Sequence, residues 1–108
     1  MTEKTSRFTV VYASRVKGHL HTIERKYHSL IRRTIAEQLS FEPDTETKNR
    51  KPLQEPVIFN ATWEIRFGPN NRFRVYYDVN REKREVDILA VGVKRRNRLF
   101  IGREEINL

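Results

Sequence analysis

The second half of the chain alternates between hydrophobic and polar residues, which is the pattern of half-buried β-strands. Two alternating segments, residues 61–67 and 72–79, are joined by a Gly-Pro-Asn-Asn turn sequence, and this arrangement predicts a β-hairpin. Their apolar positions fall on one face of the hairpin: Trp63, Ile65, Phe67, Phe73, Val75, Tyr77 and Val79. Residues 85–93 carry apolar side chains on both faces, with Val86, Ile88 and Ala90 opposed to Leu89 and Val91. We predict that this segment is a central strand covered on both sides.

The first forty residues show the spacing of a strand followed by helices. Residues 7–13 are rich in β-branched and aromatic side chains and predict a first strand, after which Ser14 is placed to cap a helix. Apolar residues then recur at steps of three and four, at Leu20, Ile23, Tyr27, Leu30, Ile31, Ile35 and Leu39. Gly18 and a histidine-rich stretch leave open whether this is one helix or two, and we favour two. We therefore predict an α+β fold, in which an N-terminal strand and a helical hairpin pack on a mainly antiparallel twisted sheet.

Residues 42–56 predict a long surface loop, because Pro43, Pro52 and Pro56 lie among Asp, Thr, Asn and Lys residues. Connections longer than about 12 to 15 residues are uncommon in compact domains and often carry function. The basic side chains that we consider here for phosphate binding are Lys48, Arg50 and Lys51. The alternative is a mobile linker, and the sequence does not decide between the two.

Composition limits the class of protein. The 108 residues are enough for one domain, residues 1–108, and one Trp, four Tyr and six Phe give too much aromatic content for a disordered tail. The absence of cysteine excludes disulfides, thiolate metal sites and cysteine nucleophiles, and it fits a reducing compartment. Residues 1–7 are polar and no apolar run reaches about 18 residues. We therefore expect a cytoplasmic protein that is neither secreted nor membrane-spanning.

Positive charge is concentrated in the C-terminal third of the chain. The formal net charge is +8, from 22 basic and 14 acidic residues. Residues 66–98 hold ten of the basic residues and four of the acidic ones, so this segment alone has a net charge of +6. Such a segment indicates a polyanionic partner. For a charge run without further pattern, the alternative is a solvated basic surface.

The strand pattern places part of this charge on one surface. If the apolar face of the hairpin packs on the helices, the other face displays Glu64, Arg66, Arg72, Arg74 and Tyr76, next to the basic run at residues 94–98. Arginines held close together repel one another, and a shared phosphate relieves that repulsion through bidentate hydrogen bonds. The pattern therefore predicts a phosphate-binding concavity on an exposed sheet face. The alternative is a lattice of surface ion pairs between Glu64 and the arginines.

Three segments in combination resemble the RelE/ParE superfamily of toxins from bacterial type II toxin–antitoxin systems. They are residues 61–67 (ATWEIRF), residues 72–77 (RFRVYY) and residues 88–94 (ILAVGVK). The resemblance covers residues 10–106. It implies a small toxin that a cognate antitoxin protein neutralises by wrapping around it.

The resemblance also implies a reaction and a set of site residues. Toxins similar to RelE cleave messenger RNA, usually on the ribosome, by using the substrate 2′-hydroxyl as nucleophile, without a metal or other cofactor. By position, Arg74 matches the arginine at the scissile phosphate and Arg66 a basic residue on the preceding strand, while Lys94 or Arg95 matches the basic residue after the last strand. We assign RNA or phosphate binding to Arg72, Tyr76, Arg96, Arg98, Lys48, Arg50 and Lys51. DNA would be bound only through the complex with the antitoxin.

Two positions depart from the RelE pattern. Glu64 stands where RelE has a lysine, and it is either a general base for the 2′-hydroxyl or an ion-pair partner of Arg66 or Arg74. Phe100 and Ile101 stand near the position of a RelE tyrosine, and neither side chain transfers a proton. The leaving 5′-oxygen would then take its proton from Lys94, Tyr76 or the 48–51 segment.

These departures keep two further functions open. The ParE branch of the superfamily inhibits DNA gyrase by binding, without cleaving a substrate. The other alternative is a basic module that binds RNA or a partner without harming the cell.

The three histidines, His19, His21 and His28, all fall in the predicted helices. No carboxylate stands at zinc-binding spacing from them, so we predict no metal site and expect the histidines at the surface.

Overall fold

A computed structural model describes residues 7–55 and 58–107. The polar segment at residues 1–6 and the predicted loop end at Pro56 lie outside the described residues. Within them, two α-helices and seven strands form an α+β fold, which confirms the predicted class. The elements are β1 (Thr9–Tyr12), α1 (Arg15–His21), α2 (His28–Leu39), β2 (Arg50–Pro52), β3 (Trp63–Phe67), β4 (Phe73–Asn80), β5 (Glu85–Arg95), β6 (Arg98–Ile101) and β7 (Glu104–Ile106).

The seven strands form one sheet. Its order is β2-β3-β4-β5-β6-β7 with antiparallel neighbours, and β1 pairs in parallel with the first part of β5. Because β4 occupies one edge of β5, both β1 and β6 lie along the other edge. Strand β1 pairs with residues 85–88 and β6 with residues 92–95, so residues 89–91 face neither strand there.

Two side chains of α1 fill this gap in the sheet. The guanidinium of Arg15 donates a hydrogen bond to the Leu89 carbonyl oxygen (3.1 Å), and the Val91 N–H donates to Nδ1 of His19 (3.2 Å). Backbone polar groups that pair with neither water nor protein cost free energy when they are removed from solvent. The short helix α1 therefore completes the edge of β5 between two strands.

The main core lies between the helices and one face of the sheet, as predicted. The hairpin residues Ile65, Phe67, Phe73, Val75 and Tyr77 are buried there, and Trp63 and Val79 pack against them. The helices contribute Val16, Leu20, Ile31, Ile35 and Leu39 to this core, and the connection between them contributes Ile23. Burial of apolar surface at about 25 cal/mol per Å² makes this layer the main source of stability.

The helical segment forms two helices, which confirms the favoured prediction. The chain leaves helical geometry at Glu24, where ψ is 134°, and a 3₁₀ turn (Arg25–Tyr27) leads into α2. Ser14 directly precedes α1, but its own φ and ψ are helical and its side chain makes no capping hydrogen bond. The expected Ser14 cap is therefore wrong.

Strand β5 changes phase part-way along its length. Leu89 has no partner on β4 and forms a β-bulge, so the alternation of faces shifts after it. Ile88 before the bulge and Val91 after it both face the main core, while Ala90 faces the opposite side of the sheet. The prediction that grouped Ala90 with Val86 and Ile88, and opposed them to Val91, is wrong because it assumed strict alternation.

A second, smaller apolar cluster covers part of the sheet face that was predicted to be exposed. It consists of Ile58, Ala61, Tyr76, Ala90, Leu99 and Ile101. Residues from the connection before β3 and from β6 pack over the middle of the sheet. As a result Tyr76 is 1% exposed, Glu64 7% and Arg74 8%. The expectation of an open face therefore fails for these three side chains.

The segment predicted as a loop, residues 42–56, contains the short strand β2. It pairs antiparallel with β3, and Lys51 lies opposite Glu64. Three residues are too few for the alternation of apolar and polar positions to be read from the sequence. In the part of the chain that the structure describes, no helix is long and apolar enough to cross a membrane.

Candidate functional site

A carboxylate lies between two arginines on the face of the sheet away from the helices. Arg66 on β3 and Arg74 on β4 are directly opposite each other in the strand register. The Glu64 side chain contacts both, with Oε1 2.9 Å from Nε of Arg66 and Oε2 3.6 Å from Nη1 of Arg74. The predicted closeness of positions 66 and 74 is therefore confirmed, and Glu64 joins them.

The three members of this cluster differ in their access to solvent. The Arg66 side chain is 44% exposed, whereas the Glu64 and Arg74 side chains are 9% and 10% exposed. Nε of Arg74 also donates to the Asn71 carbonyl oxygen at 3.2 Å. Contacts with Glu64 and with the Asn71 backbone hold the Arg74 guanidinium, while the more exposed Arg66 is hydrogen-bonded to Glu64 through Nε.

Tyr76 lies opposite Glu64 on β4. Burial, followed by the charge of Glu64 and a hydrogen bond with it, raises the pKa of the Tyr76 hydroxyl far above its ordinary value. The hydroxyl therefore keeps its proton and donates it in a hydrogen bond to the Glu64 carboxylate. Its burial removes Tyr76 from the residues that can contact RNA directly, which corrects the sequence assignment.

A cationic concavity of about 510 Å³ opens next to Arg74. Its lining consists of Pro69, Asn70, Arg72, Arg74, Lys94, Arg95, Arg96 and Asn97, five of which are basic and none acidic. The backbone joins its two sides, because the Lys94 N–H donates to the Arg72 carbonyl oxygen at 2.7 Å. Most of the basic residues predicted around Arg74 are thus brought together.

Two turns form the rims of this concavity. Asn70 and Asn71 in one turn, and Arg96 and Asn97 in the other, have positive φ values between 50° and 67°. Asparagine tolerates this left-handed region better than most residues. The first turn was predicted from the sequence, but Asn70, Asn71 and Asn97 were not among the predicted site residues. Asparagine in both turns was the available signal.

The remaining predicted residues lie at different distances from the site. Lys51 is exposed across from Glu64, and Lys48 is exposed in the preceding segment. Arg98 is exposed at the β5–β6 hairpin, where Nε lies 3.9 Å from the Glu105 carboxylate. Arg98 does not line the concavity.

Arg50 does not belong to the site. It is buried, with Nε donating to the Thr45 carbonyl oxygen (2.8 Å) and Nη1 to the Gln38 carbonyl oxygen (2.6 Å). These bonds tie the end of α2 to β2. The assignment of Arg50 to phosphate binding is corrected to a structural role.

The residues near the tyrosine position of RelE point to opposite sides of β6. Ile101 lies across from Gly92, next to Arg74, and is buried. A Cβ atom at Gly92 would lie 3.1 Å from the Leu99 and Ile101 side chains, so any larger residue there would crowd their packing. Phe100 faces the helix side of the sheet.

Two of the histidines have structural roles, contrary to the expectation of surface positions. His19 is half-buried, and burial together with the charge of Arg15 lowers its pKa. Nε2 of His28 lies 2.9 Å from the Ile23 carbonyl oxygen, whereas His21 is exposed. Within residues 7–55 and 58–107, no three His, Asp or Glu side chains are grouped so that they could hold a metal ion.

Among solved structures, the chain is similar to one in the RelBE2 toxin–antitoxin complex from Mycobacterium tuberculosis. The TM-score is 0.69, and the match covers 86% of this chain and 98% of the other at 24% sequence identity. The two chains share one fold. This match confirms, at the level of the fold, the resemblance carried by the three sequence segments. Neither a family model nor a curated relative matches the sequence.

Proposed function

We propose that this protein is the toxin of a type II toxin–antitoxin system and that it cleaves messenger RNA as a metal-independent endoribonuclease. The observation that carries the proposal is the Glu64 carboxylate held between Arg66 and Arg74 at the edge of a cationic concavity. The fold shared with a chain of a toxin–antitoxin complex supports the toxin assignment. Because the proposed substrate is messenger RNA, we propose that the protein acts in the cytoplasm.

In the proposed reaction, an RNA phosphate enters beside Arg74 and displaces the outer arginine, Arg66, from Glu64. The freed carboxylate accepts the proton of the substrate 2′-hydroxyl, and the 2′-oxygen forms a bond to phosphorus as the bond to the 5′-oxygen breaks. The products are a 2′,3′-cyclic phosphate and a 5′-hydroxyl end. Arg74 and Arg66 stabilise the negative charge that develops on the phosphoryl oxygens, which requires guanidinium groups fixed on rigid strands.

The proton for the leaving 5′-oxygen comes from a lysine in this proposal. Tyr76 is a poor donor because its raised pKa makes the hydroxyl a very weak acid. Lys94 lines the concavity, and Lys51 lies across from Glu64. We assign the role to Lys94, because it lies on the same side of the site as Arg74 and the phosphate path.

A cognate antitoxin is the proposed protein partner. The neighbouring structure is a toxin–antitoxin complex, and a net charge of +8 favours an acidic partner. Messenger RNA, free or on the ribosome, is the proposed substrate. Operator DNA would be reached through the antitoxin.

Expression of Arg74 variants tests the proposal. The wild-type chain should arrest growth and generate transcripts with new 5′-hydroxyl ends, mapped by ligation that requires such an end. Arg74→Lys keeps the charge but loses the planar fork, and we expect at least tenfold less cleavage; Glu64→Gln should reduce it by about 100-fold. Arg33→Gln, which removes one positive charge from an exposed surface of α2, should leave cleavage unchanged.

Loss of folding must be separated from loss of catalysis, because one unpaired member of a buried ion pair is strongly destabilising. The double variant Glu64→Gln, Arg74→Gln replaces the pair by two neutral amides and should keep a cooperative thermal transition while showing no cleavage. Undiminished RNA cleavage by this folded double variant would contradict the proposal.

The second candidate function is inhibition of DNA gyrase by binding, as in the ParE branch. It is favoured by Phe100 and Ile101, which supply no proton-transferring group near the site. Growth arrest with intact transcripts and double-strand breaks in the chromosome would support this function. Absence of any growth defect would instead favour a non-catalytic RNA-binding module.

A further inference from the structure

A second concavity, of about 520 Å³, lies on the opposite side of the β5–β6 hairpin from the first. It faces the helix layer and is bordered by the C-terminal end of α1. Val93, Phe100 and Gly102 belong to its floor, and His21, Arg95 and Arg103 belong to its rim. The half-buried aromatic ring of Phe100 is thus accessible and has basic side chains around it.

The charge of this second concavity is positive. His21, Arg95 and Arg103 are all exposed, and no acidic side chain is part of its described lining. The nearest acid in the strand register is Glu105, opposite Phe100 on β7. Its carboxylate already lies 3.9 Å from Nε of Arg98, so the negative charge is shared with another cation.

The two concavities are connected through the hairpin between them. Arg95 lines both, and Arg96 lines the first at the turn. All four residues of the hairpin tip, 95–98, are exposed, and three of them are arginines. A polyanion that leaves the first concavity over this tip would meet positive charge along its path to the second.

We propose that the second concavity binds a further nucleotide of the single-stranded RNA held in the first, with the base stacked on Phe100 and a phosphate paired with Arg103. This inference rests on the proposed function, because it takes RNA as the ligand. Aromatic rings flanked by cations bind single strands in this way, since every base presents a π-face and every linkage carries a phosphate. The site would extend substrate contact without taking part in the bond-breaking step.

Oligonucleotides of two lengths test this inference. We would use 2′-O-methyl RNA, which lacks the nucleophilic hydroxyl and stays intact, as a trinucleotide and as a strand of about ten nucleotides. The wild-type protein should bind the longer strand more tightly than the trinucleotide. Phe100→Leu keeps an apolar floor but removes the ring, and it should weaken the longer strand by about tenfold while leaving the trinucleotide unchanged.

Arg103→Gln provides a second readout that is independent of stacking. For the longer strand, the logarithm of the binding constant should fall less steeply with the logarithm of salt concentration, by about 0.7, the value for one phosphate on a single strand. Arg33→Gln should leave this slope unchanged. Unchanged trinucleotide affinity shows that both variants remain folded.

The two proposals fail in different ways. If the trinucleotide binds through Arg74 but neither Phe100→Leu nor Arg103→Gln affects the longer strand, this inference is overturned and the proposed function stands. If neither oligonucleotide binds the wild-type protein, the RNA ligand itself is wrong and both proposals fall.

Discussion

The buried guanidinium of Arg50 joins the C-terminal end of α2 to the loop before β2. It donates to the Thr45 carbonyl oxygen in that loop and to the Gln38 carbonyl oxygen, which lies in the last turn of α2 and has no intrahelical partner. A cation at this end also interacts favourably with the helix dipole. Arg50 therefore stabilises the arrangement that places β2, and with it Lys51, beside the site.

Replacement of Arg50 by glutamine should lower the free energy of unfolding by about 2 kcal/mol, because two part-buried hydrogen bonds from a charged donor are lost. Urea unfolding measures this change. Lys51→Gln is the matched control, since Lys51 is exposed and its loss should change stability by less than about 0.5 kcal/mol. Equal effects of the two substitutions would show that Arg50 is not a structural residue.

At the residue scale, alternation along β3 and β4 was enough to place Arg66 and Arg74 together. It could not show that Arg50 is buried, because β2 is too short to reveal a pattern and an arginine at its start looks like a surface cation. It also left the role of Glu64 open. Only the register shows that one carboxylate reaches both arginines and Tyr76.

Among the elements, β5 has the most varied surroundings, because one of its edges is shared by β1, α1 and β6. The α1 contribution depends on protonation: Nδ1 of His19 accepts the Val91 N–H only when that nitrogen carries no proton. Burial and Arg15 lower the pKa of His19 in the folded state. The His19 imidazole therefore binds a proton more tightly in the unfolded chain than in the folded one.

Stability should consequently fall as the pH decreases through the ordinary histidine pKa of about 6.5 toward the lowered value of folded His19. Thermal unfolding at pH 7.5 and pH 5 measures this loss, and His19→Gln, which retains an acceptor, should show less of it. Asp87, whose pKa is raised to about 6, has the opposite effect on the pH dependence of stability. This effect is the same in the wild-type protein and in His19→Gln. His21→Gln is the control, because His21 is exposed. If His19→Gln lost as much stability between pH 7.5 and pH 5 as the wild-type protein, the role of His19 would be refuted.

The major elements could be predicted from sequence because their apolar periodicities are long. Helix α2 and the β3–β4 hairpin show three or more repeats of their period, and both match the structure. The bulge at Leu89 inserts one residue without a glycine or proline signal, so the phase of β5 after it was mispredicted. Strands β2 and β7 have three residues each, which is too few for a readable alternation.

In the whole molecule, one sheet separates a large apolar core from a charged face that is only partly covered. The helices cover one side, while the smaller apolar cluster leaves the ends of β4 and β5 open on the other. Arg72, Arg74, Lys94, Arg95 and Arg96 meet at that opening. The strand pattern predicted that this surface lies away from the helices, but the smaller apolar cluster that covers part of it required the fold.

Binding of single-stranded RNA should therefore depend strongly on salt. If four phosphates are neutralised, the logarithm of the binding constant should fall against the logarithm of salt concentration with a slope of about −3. Fluorescence anisotropy over a salt series measures it, with the 2′-O-methyl strand as probe. Lys94→Gln should make the slope shallower by about 0.7, and a flat response of the wild-type protein would exclude an electrostatic interface.

The C-terminal end of β5 is exposed, whereas most of the strand is buried. Its middle residues contribute to both apolar clusters, so a substitution there disturbs two layers at once. Beyond Val93 the same strand runs out into solvent, and residues 94–98 are all exposed. A substitution in this projection would therefore alter the charge offered to a ligand with little effect on folding, whereas one in the middle of the strand would disturb folding first.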